Sequence, residues 1–131
     1  MTDIKSLLKK DSIIFEYNVK DLNRSKKFYQ DIFGFEMVWD GSDEIGWCQL
    51  KLPVAGTTLG LNLIREGDIP SSSASLYFDT DDLDAVEKVL KDRGVETKPI
   101  QDIPDNVSIL IAMDPDGNEI GIVAPPRVKS K

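Results

Sequence analysis

Hydrophobic and polar positions in the first half of the chain follow two different periods. Residues 12–20 (SIIFEYNVK) are rich in β-branched and aromatic side chains, which is typical of a strand. After Asp21, a candidate helix cap, the apolar positions take a helical period until Gly34. The apolar side of this predicted helix is made of Leu22, Phe28, Tyr29, Ile32 and Phe33. Turn residues then separate three strand-like stretches, which are Phe35–Asp40, Ile45–Leu52 and Thr57–Arg65.

The same order of elements begins again after a short polar stretch. Residues 67–73 (GDIPSSS) have no apolar period and are interpreted as a linker. A second predicted helix begins at Asp82 and ends at Gly94, with an apolar stripe typical of a helix packed on a sheet. The predicted strands of this half are Ala74–Thr80, Val95–Pro99, Val107–Met113 and Glu119–Ala124.

Sliding the chain against itself supports an internal repeat. At an offset of 61 residues, Asp21 falls on Asp82, Leu22 on Leu83 and Gly60 on Gly121, all at structural landmarks. The pattern predicts an α+β protein of two tandem βαβββ modules, at about 12–66 and 74–125. Because about 60 residues are marginally stable alone, we expect the modules to form one domain over residues 1–131 and to share a groove.

Amino-acid composition excludes several kinds of catalytic site, metal site and binding partner. The 131 residues include 16 basic and 23 acidic side chains, one cysteine and no histidine, for a net charge of −7. The missing histidine excludes Ser-His-Asp and Cys-His catalysis and imidazole metal sites. The acidic surplus, concentrated in residues 71–125, disfavours nucleic acid and anionic membranes as partners. No apolar run could cross a bilayer and the N-terminus lacks a signal-like apolar stretch, so the sequence predicts a cytoplasmic protein.

Several short motifs together resemble one known superfamily. They are Val19-x-Asp21-Leu22-x-x-Ser25-x-x-Phe28-Tyr29, Phe33-Gly34-Phe35, Asp81-Asp82-Leu83-Asp84, Gly94-Val95 and Asp114-Pro115-Asp116-Gly117-Asn118. The combination resembles the vicinal oxygen chelate superfamily, which contains glyoxalase I, extradiol dioxygenases and the bleomycin resistance proteins. The resemblance covers residues 12–125 and implies paired βαβββ modules whose curled mixed sheet encloses a cavity, commonly in a homodimer.

The resemblance also implies where a metal would bind. Metal-dependent members use His or Gln on the first strand of each module and Glu on the fourth. The matching positions here are Ile14, Gly60, Ser75 and Gly121, and none of these residues is a competent ligand for a divalent ion. We therefore expect no metal and no other cofactor, and no catalytic residue is assigned.

Alternation along the strands assigns candidate ligand-binding residues. Phe15, Tyr17 and Val19 are expected to face the helix, so the side chains between them face a cavity. By the same reasoning in the other strands, the candidates are Glu16, Asn18, Trp47, Gln49, Asn62, Tyr77 and Asp79. These residues predict a polar, acidic and partly aromatic cavity floor, with Gly60 leaving room for a ligand. The alternatives stay open that Glu16 and Asp79 are simply solvated and that Trp47 packs in a core or dimer interface.

Three function classes fit these observations. A metal-free protein that binds a small molecule, such as a cationic drug or metabolite, explains both the missing ligands and the acidic residues. A lyase, isomerase or dioxygenase of the same superfamily would need a metal, or Glu16 as a general base. A regulatory module that binds a metabolite or protein is the third class. The missing ligand set favours the first.

Overall fold

The computed structural model of the chain describes residues 4–7, 11–68 and 76–130. The chain divides into two compact units, Met1–Arg65 and Glu66–Lys131. None of the described helices reaches the length and apolar character that crossing a membrane requires.

The first unit is a four-stranded sheet covered by one main helix. Its elements are α1 (Ile4–Leu7), β1 (Ile13–Val19), α2 (Leu22–Asp31), β2 (Glu36–Asp40), α3 (Ser42–Ile45), β3 (Trp47–Lys51) and β4 (Thr57–Leu63). The strand order is β1-β4-β3-β2; β1 runs parallel to β4, and the other neighbours are antiparallel. Asp21 caps α2 by accepting a hydrogen bond from the Arg24 backbone N–H at 3.0 Å, as its side-chain type predicts.

Aromatic rings fill the space between α2 and the first sheet. Tyr29 on α2 has no exposed surface, and its ring centroid lies 6.4 Å from that of Tyr17 on β1 and 6.2 Å from that of Phe35. Leu22 and Ser25 are buried on the same face of the helix. The predicted helical stripe therefore packs on the sheet as expected, and it leaves the opposite face of the sheet turned away from α2.

The second unit repeats this plan. Its elements are β5 (Leu76–Asp79), α4 (Leu83–Asp92), β6 (Gln101–Ile103), β7 (Val107–Met113) and β8 (Glu119–Ala124), with the sheet order β5-β8-β7-β6. Asp82 caps α4 through the Ala85 backbone N–H, at the distance of 3.0 Å found in the first unit. The predicted α+β class, with two four-stranded mixed sheets, is confirmed.

The register of the strands follows the 61-residue repeat. Glu16 lies opposite Gly60 in the parallel pair β1 and β4, and Tyr77 lies opposite Gly121 in the parallel pair β5 and β8. Glu16 and Tyr77 are 61 residues apart in the sequence, and so are Gly60 and Gly121. Glu16 and Tyr77 are therefore equivalent positions in the two units, as the sequence repeat predicts.

The prediction of a strand over Val95–Pro99 is wrong. In that segment only Thr97 makes an isolated bridge, to Ala112, and the edge strand is Gln101–Ile103 instead. Pro99 explains the shift because it has no N–H for a ladder hydrogen bond. The strand predicted to begin at Ile45 begins at Trp47, because Ser42–Ile45 form a helical turn that Gly46 ends in a left-handed conformation.

A network of charged side chains ties the C-terminal segment to the second sheet. The Arg127 guanidinium donates to both carboxylate oxygens of Asp102, at 3.0 and 2.8 Å, and also pairs with Asp84 on α4. The buried Ser108 hydroxyl donates to Asp102 at 2.6 Å and accepts from the Arg127 backbone N–H. These bonds from Arg127 and Ser108 lower the pKa of Asp102 to about 2.

This network predicts an acid-dependent loss of stability. Because the pKa of Asp102 is depressed on folding from its ordinary 3.8, its contribution is present above about pH 4 and is lost as the pH falls toward 2. We expect Asp102→Asn to lower the thermal midpoint at neutral pH and to flatten its fall between these pH values. Thermal unfolding monitored by circular dichroism measures both effects. Asp81→Asn, which makes the same charge change at a residue for which the described residues provide no ion pair, should keep the wild-type pH slope; equal slopes in all three proteins would contradict the prediction.

Candidate functional site

The face of the first sheet that points away from α2, here called the first distal face, carries most of the predicted site residues. Strand register brings Glu16, Gly60 and Gln49 into one row across β1, β4 and β3. Asn18, Asn62 and Trp47 form the next row. The five candidates of this unit therefore share one surface. Apart from the exposed Glu16, their side chains are half-buried.

The Trp47 indole lies directly on Gly60. A Cβ atom at position 60 would come within 2.1 Å of the ring, which no side chain could tolerate without moving it. Gly60 is thus needed for the close approach of the ring, and the space expected there for a ligand is filled by the indole itself. The result is a flat aromatic surface at the centre of the face, beside Glu16.

Hydrogen bonds fix the polar groups around this ring. The Trp47 indole Nε1–H donates to Gln49 Oε1 at 3.3 Å, and Gln49 Nε2 donates to Thr58 Oγ1 at 3.0 Å. Asn62 Nδ2 donates to Asn18 Oδ1 at 3.1 Å, linking β4 to β1. These bonds hold the amide groups and the indole in defined orientations on the face.

Glu16 differs from its neighbours on this face. Within the described residues, no hydrogen-bond donor or cation pairs with its carboxylate, which is exposed to solvent. Lys51 lies on the same face but in the adjacent row, opposite Thr58 and two strands away from β1. The carboxylate is therefore available to a ligand.

Trp39 is a further aromatic residue of the first distal face, and it was not among the predicted candidates. Strict alternation along β2 would put Trp39 on the same side as Phe35, which is buried. A bulge between Met37 and Trp39 shifts the register, so Trp39 pairs with Gln49 and shares its face, with 48% of its surface exposed. This bulge could not be predicted from the sequence. Both tryptophans of the chain consequently lie on one surface.

The face of the second sheet that points away from α4, here called the second distal face, carries Tyr77 and Asp79. The Tyr77 ring covers Gly121 as Trp47 covers Gly60, since a Cβ at 121 would lie 2.2 Å from it. Tyr77 is 60% exposed. The described residues offer the Asp79 carboxylate no hydrogen bond or ion pair.

The rest of the second distal face departs from the expected polar and acidic floor. Register places Ile111 opposite Gly121 and Ile109 opposite Val123, so aliphatic side chains form its middle. Glu119 is paired with Lys98 at 2.7 Å and its charge is thereby balanced. The predicted acidic residues therefore have different surroundings: Glu16 lies among amide side chains on the first distal face, whereas Asp79 shares the second with Ile109 and Ile111.

The residues at the superfamily's metal positions do not fit a metal ion. Ile14 offers no donor atom, and the two glycines are each covered by an aromatic ring. Ser75 lies outside the described residues. Within residues 4–7, 11–68 and 76–130, no three His, Cys, Asp or Glu side chains come together as a ligand group.

Cys48 lies on the opposite side of β3 from Trp47, as alternation predicts. It is fully buried, and burial raises the pKa of its thiol to about 11. A thiol that stays protonated at neutral pH is a poor nucleophile, so its role is to fill the core.

A family model places the chain among known proteins. The model of the Glyoxalase/Bleomycin resistance protein/Dioxygenase superfamily matches residues 13–122. The chain belongs to this superfamily. Among curated proteins, no sequence matches the chain significantly.

Several solved structures resemble the chain over most of its length. One is TnmS3, an antibiotic binding protein from Streptomyces sp. CB03234, which is 29% identical, with a TM-score of 0.66 over 90% of this chain and 99% of that one. A glyoxalase/bleomycin resistance protein from the same organism is 32% identical, with a TM-score of 0.64 over 85% of this chain and 97% of that one. A lactoylglutathione lyase from Agrobacterium tumefaciens shares the fold at 18% identity, with a TM-score of 0.71 over 89% of this chain and 95% of that one.

Proposed function

We propose that this superfamily member binds a small planar molecule without a metal ion. The observation that carries the proposal is the pair of rings on glycines, Trp47 on Gly60 and Tyr77 on Gly121. Each pair puts an aromatic surface where the superfamily's metal-dependent members, by the resemblance above, place a carboxylate ligand. The similarity to an antibiotic binding protein supports the same reading.

The first distal face suits a planar molecule with a positive charge. The Trp47 indole offers a ring for stacking, and an organic cation beside it gains from the electron-rich ring face. The Glu16 carboxylate, next to this ring and without a described partner, supplies the opposite charge. Asn18, Gln49 and Asn62 add amide groups for polar contacts at the edge of such a ligand. Tyr77 and Asp79 are the corresponding proposed contacts on the second distal face.

An enzyme of the superfamily remains the alternative function. A metal-dependent lyase, isomerase or dioxygenase would need a ligand set that Ile14, Gly60 and Gly121 do not provide. Metal-free catalysis would have to use Glu16 as a general base, for which it has the required exposure. Elemental analysis of the purified protein separates these readings: a stoichiometric transition metal would overturn metal-free binding.

Titration with proflavine, a planar tricyclic cation, tests the proposed ligand chemistry. Because both tryptophans lie on the first distal face, quenching of their fluorescence reports binding there, and calorimetry checks the affinity independently. We expect saturable quenching by proflavine and much weaker quenching by anthracene carboxylate, which is planar but anionic. Equal affinity for both probes would contradict the role of charge, and quenching by neither would overturn the proposal.

Glu16→Gln isolates the contribution of the carboxylate. The variant keeps the side-chain shape and removes the charge, so we expect the affinity for proflavine to fall about tenfold, with little change in thermal midpoint because Glu16 is exposed. Glu87→Gln makes the same change on α4, outside both distal faces, and should bind proflavine as the wild type does. Asp79→Asn tests the second distal face by calorimetry, because that face carries no tryptophan. A Glu16→Gln variant that binds proflavine with unchanged affinity would contradict the proposed role.

A further inference from the structure

The hydrogen bonds around Trp47 have a direction that its chemistry imposes. An indole N–H can only donate, so the Gln49 atom 3.3 Å from Trp47 Nε1 must be the amide oxygen. The other end of the amide, Nε2, is then a donor, and it lies 3.0 Å from Thr58 Oγ1. Trp47 therefore fixes which way the Gln49 amide is turned.

The orientation of the Gln49 amide also determines how the Thr58 hydroxyl can form hydrogen bonds. Because Gln49 Nε2 donates to it, the Thr58 oxygen acts as an acceptor in this bond and its hydroxyl proton has to point elsewhere. None of the described residues accepts that proton. The Thr58 side chain is half-buried and lies on the first distal face, opposite Ile14 on one neighbouring strand and Lys51 on the other. Thr58 thus presents a hydrogen-bond donor to whatever occupies this face.

A hydrogen-bond acceptor, the Glu16 carboxylate, lies on the strand next to that of Thr58. Glu16 stands opposite Gly60, two residues along β4 from Thr58, and its carboxylate accepts hydrogen bonds only. A hydroxyl donor and a carboxylate acceptor therefore flank the indole ring on the same face. Their natural complement is a ligand edge with an acceptor oxygen next to an N–H group.

The geometry points to a specificity that rests on the proposed function and refines it: the face selects planar molecules whose edge carries a carbonyl oxygen beside an N–H, as in an aromatic lactam. Thr58 supplies the donor to the carbonyl, and Glu16 accepts from the N–H. Gln49 acts as a positioning residue, because it sets the direction of the Thr58 hydroxyl. Thr58 was not among the residues that strand alternation singled out.

Two planar tricyclic probes of matched shape test this selectivity. Phenanthridinone carries a lactam edge, and phenanthridine has the same ring skeleton with neither the carbonyl nor the N–H. We expect the wild type to bind phenanthridinone more tightly. Thr58→Val removes the hydroxyl and should weaken phenanthridinone binding about three- to tenfold, the worth of one hydrogen bond, with phenanthridine binding unchanged. Thr58→Ser restores the hydroxyl and should restore the preference.

Gln49→Glu tests the direction of the hydrogen bonds. The introduced carboxylate can still accept from the Trp47 indole, but it cannot donate to Thr58, so the Thr58 hydroxyl turns to donate to it. Phenanthridinone binding should fall as in Thr58→Val, although Thr58 is still present, while phenanthridine binding stays the same. A merely structural role of Gln49 would weaken both probes alike, which would overturn this assignment.

The outcomes separate this inference from the proposed function. If the wild type binds proflavine but does not prefer phenanthridinone, or if Thr58→Val keeps the preference, the lactam selectivity is wrong and planar binding stands. If the wild type binds neither proflavine nor the two tricycles, both proposals fall.

The hydrogen bond from Trp47 to Gln49 can also be tested in ligand-free protein. The Trp47 indole N–H resonance, assigned with Trp39→Phe, should shift upfield in Gln49→Leu. An unshifted resonance would contradict the chain of hydrogen bonds from Trp47 through Gln49 to Thr58.

Discussion

Gly60→Ala is expected to lower the affinity for proflavine about tenfold or more, because it removes the aromatic surface at the centre of the first distal face. The added Cβ would lie 2.1 Å from one atom of the Trp47 ring and 2.2 Å from the next, so the indole has to leave its position on β4. The clashing atoms are at the far end of a half-buried side chain, which can rotate away. We therefore expect a small change in thermal midpoint together with a large loss of binding.

Gly121→Ala is the matched variant for this experiment. It displaces the Tyr77 ring of the second unit by the same kind of clash, since a Cβ at position 121 would lie 2.2 Å from that ring. Calorimetric titration of both variants with proflavine separates the two faces, and the emission of Trp47 in a Trp39→Phe background reports the displaced indole. A Gly60→Ala variant whose Trp47 emission changes while its affinity stays at the wild-type value would show that the ring does not contact the ligand.

The helices and their caps could be predicted from the sequence because their determinants are local. Asp21 and Asp82 cap helices through backbone N–H groups three residues away, and the apolar stripe that contains Tyr29 needs only a period of 3.6 residues to be recognised. The repeat at 61 residues then predicted the same order of elements along the chain in both halves, and the two sheets share one strand order. The fold class followed from these local signals and from the motifs of the resemblance.

The sharing of one face by Glu16, Asn18, Trp47, Gln49 and Asn62 was also accessible to sequence reasoning. Alternation along a strand is a geometric property that the residue order carries by itself. The same rule failed for Trp39, because a bulge inserts one residue and reverses the alternation after it. Whether a bulge forms depends on how β2 pairs with β3, which is a contact between segments distant in sequence.

The orientation of groups within the face could not be predicted. The contact of the Trp47 ring with Gly60 and the hydrogen bond from Gln49 to Thr58 have no local sequence signal. Both join residues that are neighbours only through strand register. The network of Arg127 with Asp102 and Asp84 could not be predicted from the sequence for the same reason, because the three residues come from separate parts of the chain. The polar character expected of the second distal face was wrong because Ile109 and Ile111 were not assigned to it.

Tyr29→Ala is expected to cost about 3–5 kcal/mol of stability, a larger loss than any substitution on the two distal faces should cause. Tyr29 has no exposed surface and lies among the rings of Tyr17, Phe28, Phe33 and Phe35, so its removal leaves a cavity between α2 and the first sheet. Urea unfolding monitored by circular dichroism measures the loss of stability, and the thermal midpoint should fall by about 10–20 °C. Tyr77→Ala removes an equally large but 60% exposed ring and should leave the midpoint close to that of the wild type.

The form of the Tyr29→Ala transition also tests the expectation of one domain over residues 1–131. A unit of about 60 residues is marginally stable by itself, so in a single cooperative domain the loss of the Tyr29 core destabilises both units together. Calorimetry should then give one transition whose measured enthalpy equals the van 't Hoff enthalpy, shifted as a whole to lower temperature. Two transitions, one of which moves only in Tyr29→Ala and the other only in Asp102→Asn, would instead mean that the units Met1–Arg65 and Glu66–Lys131 fold independently.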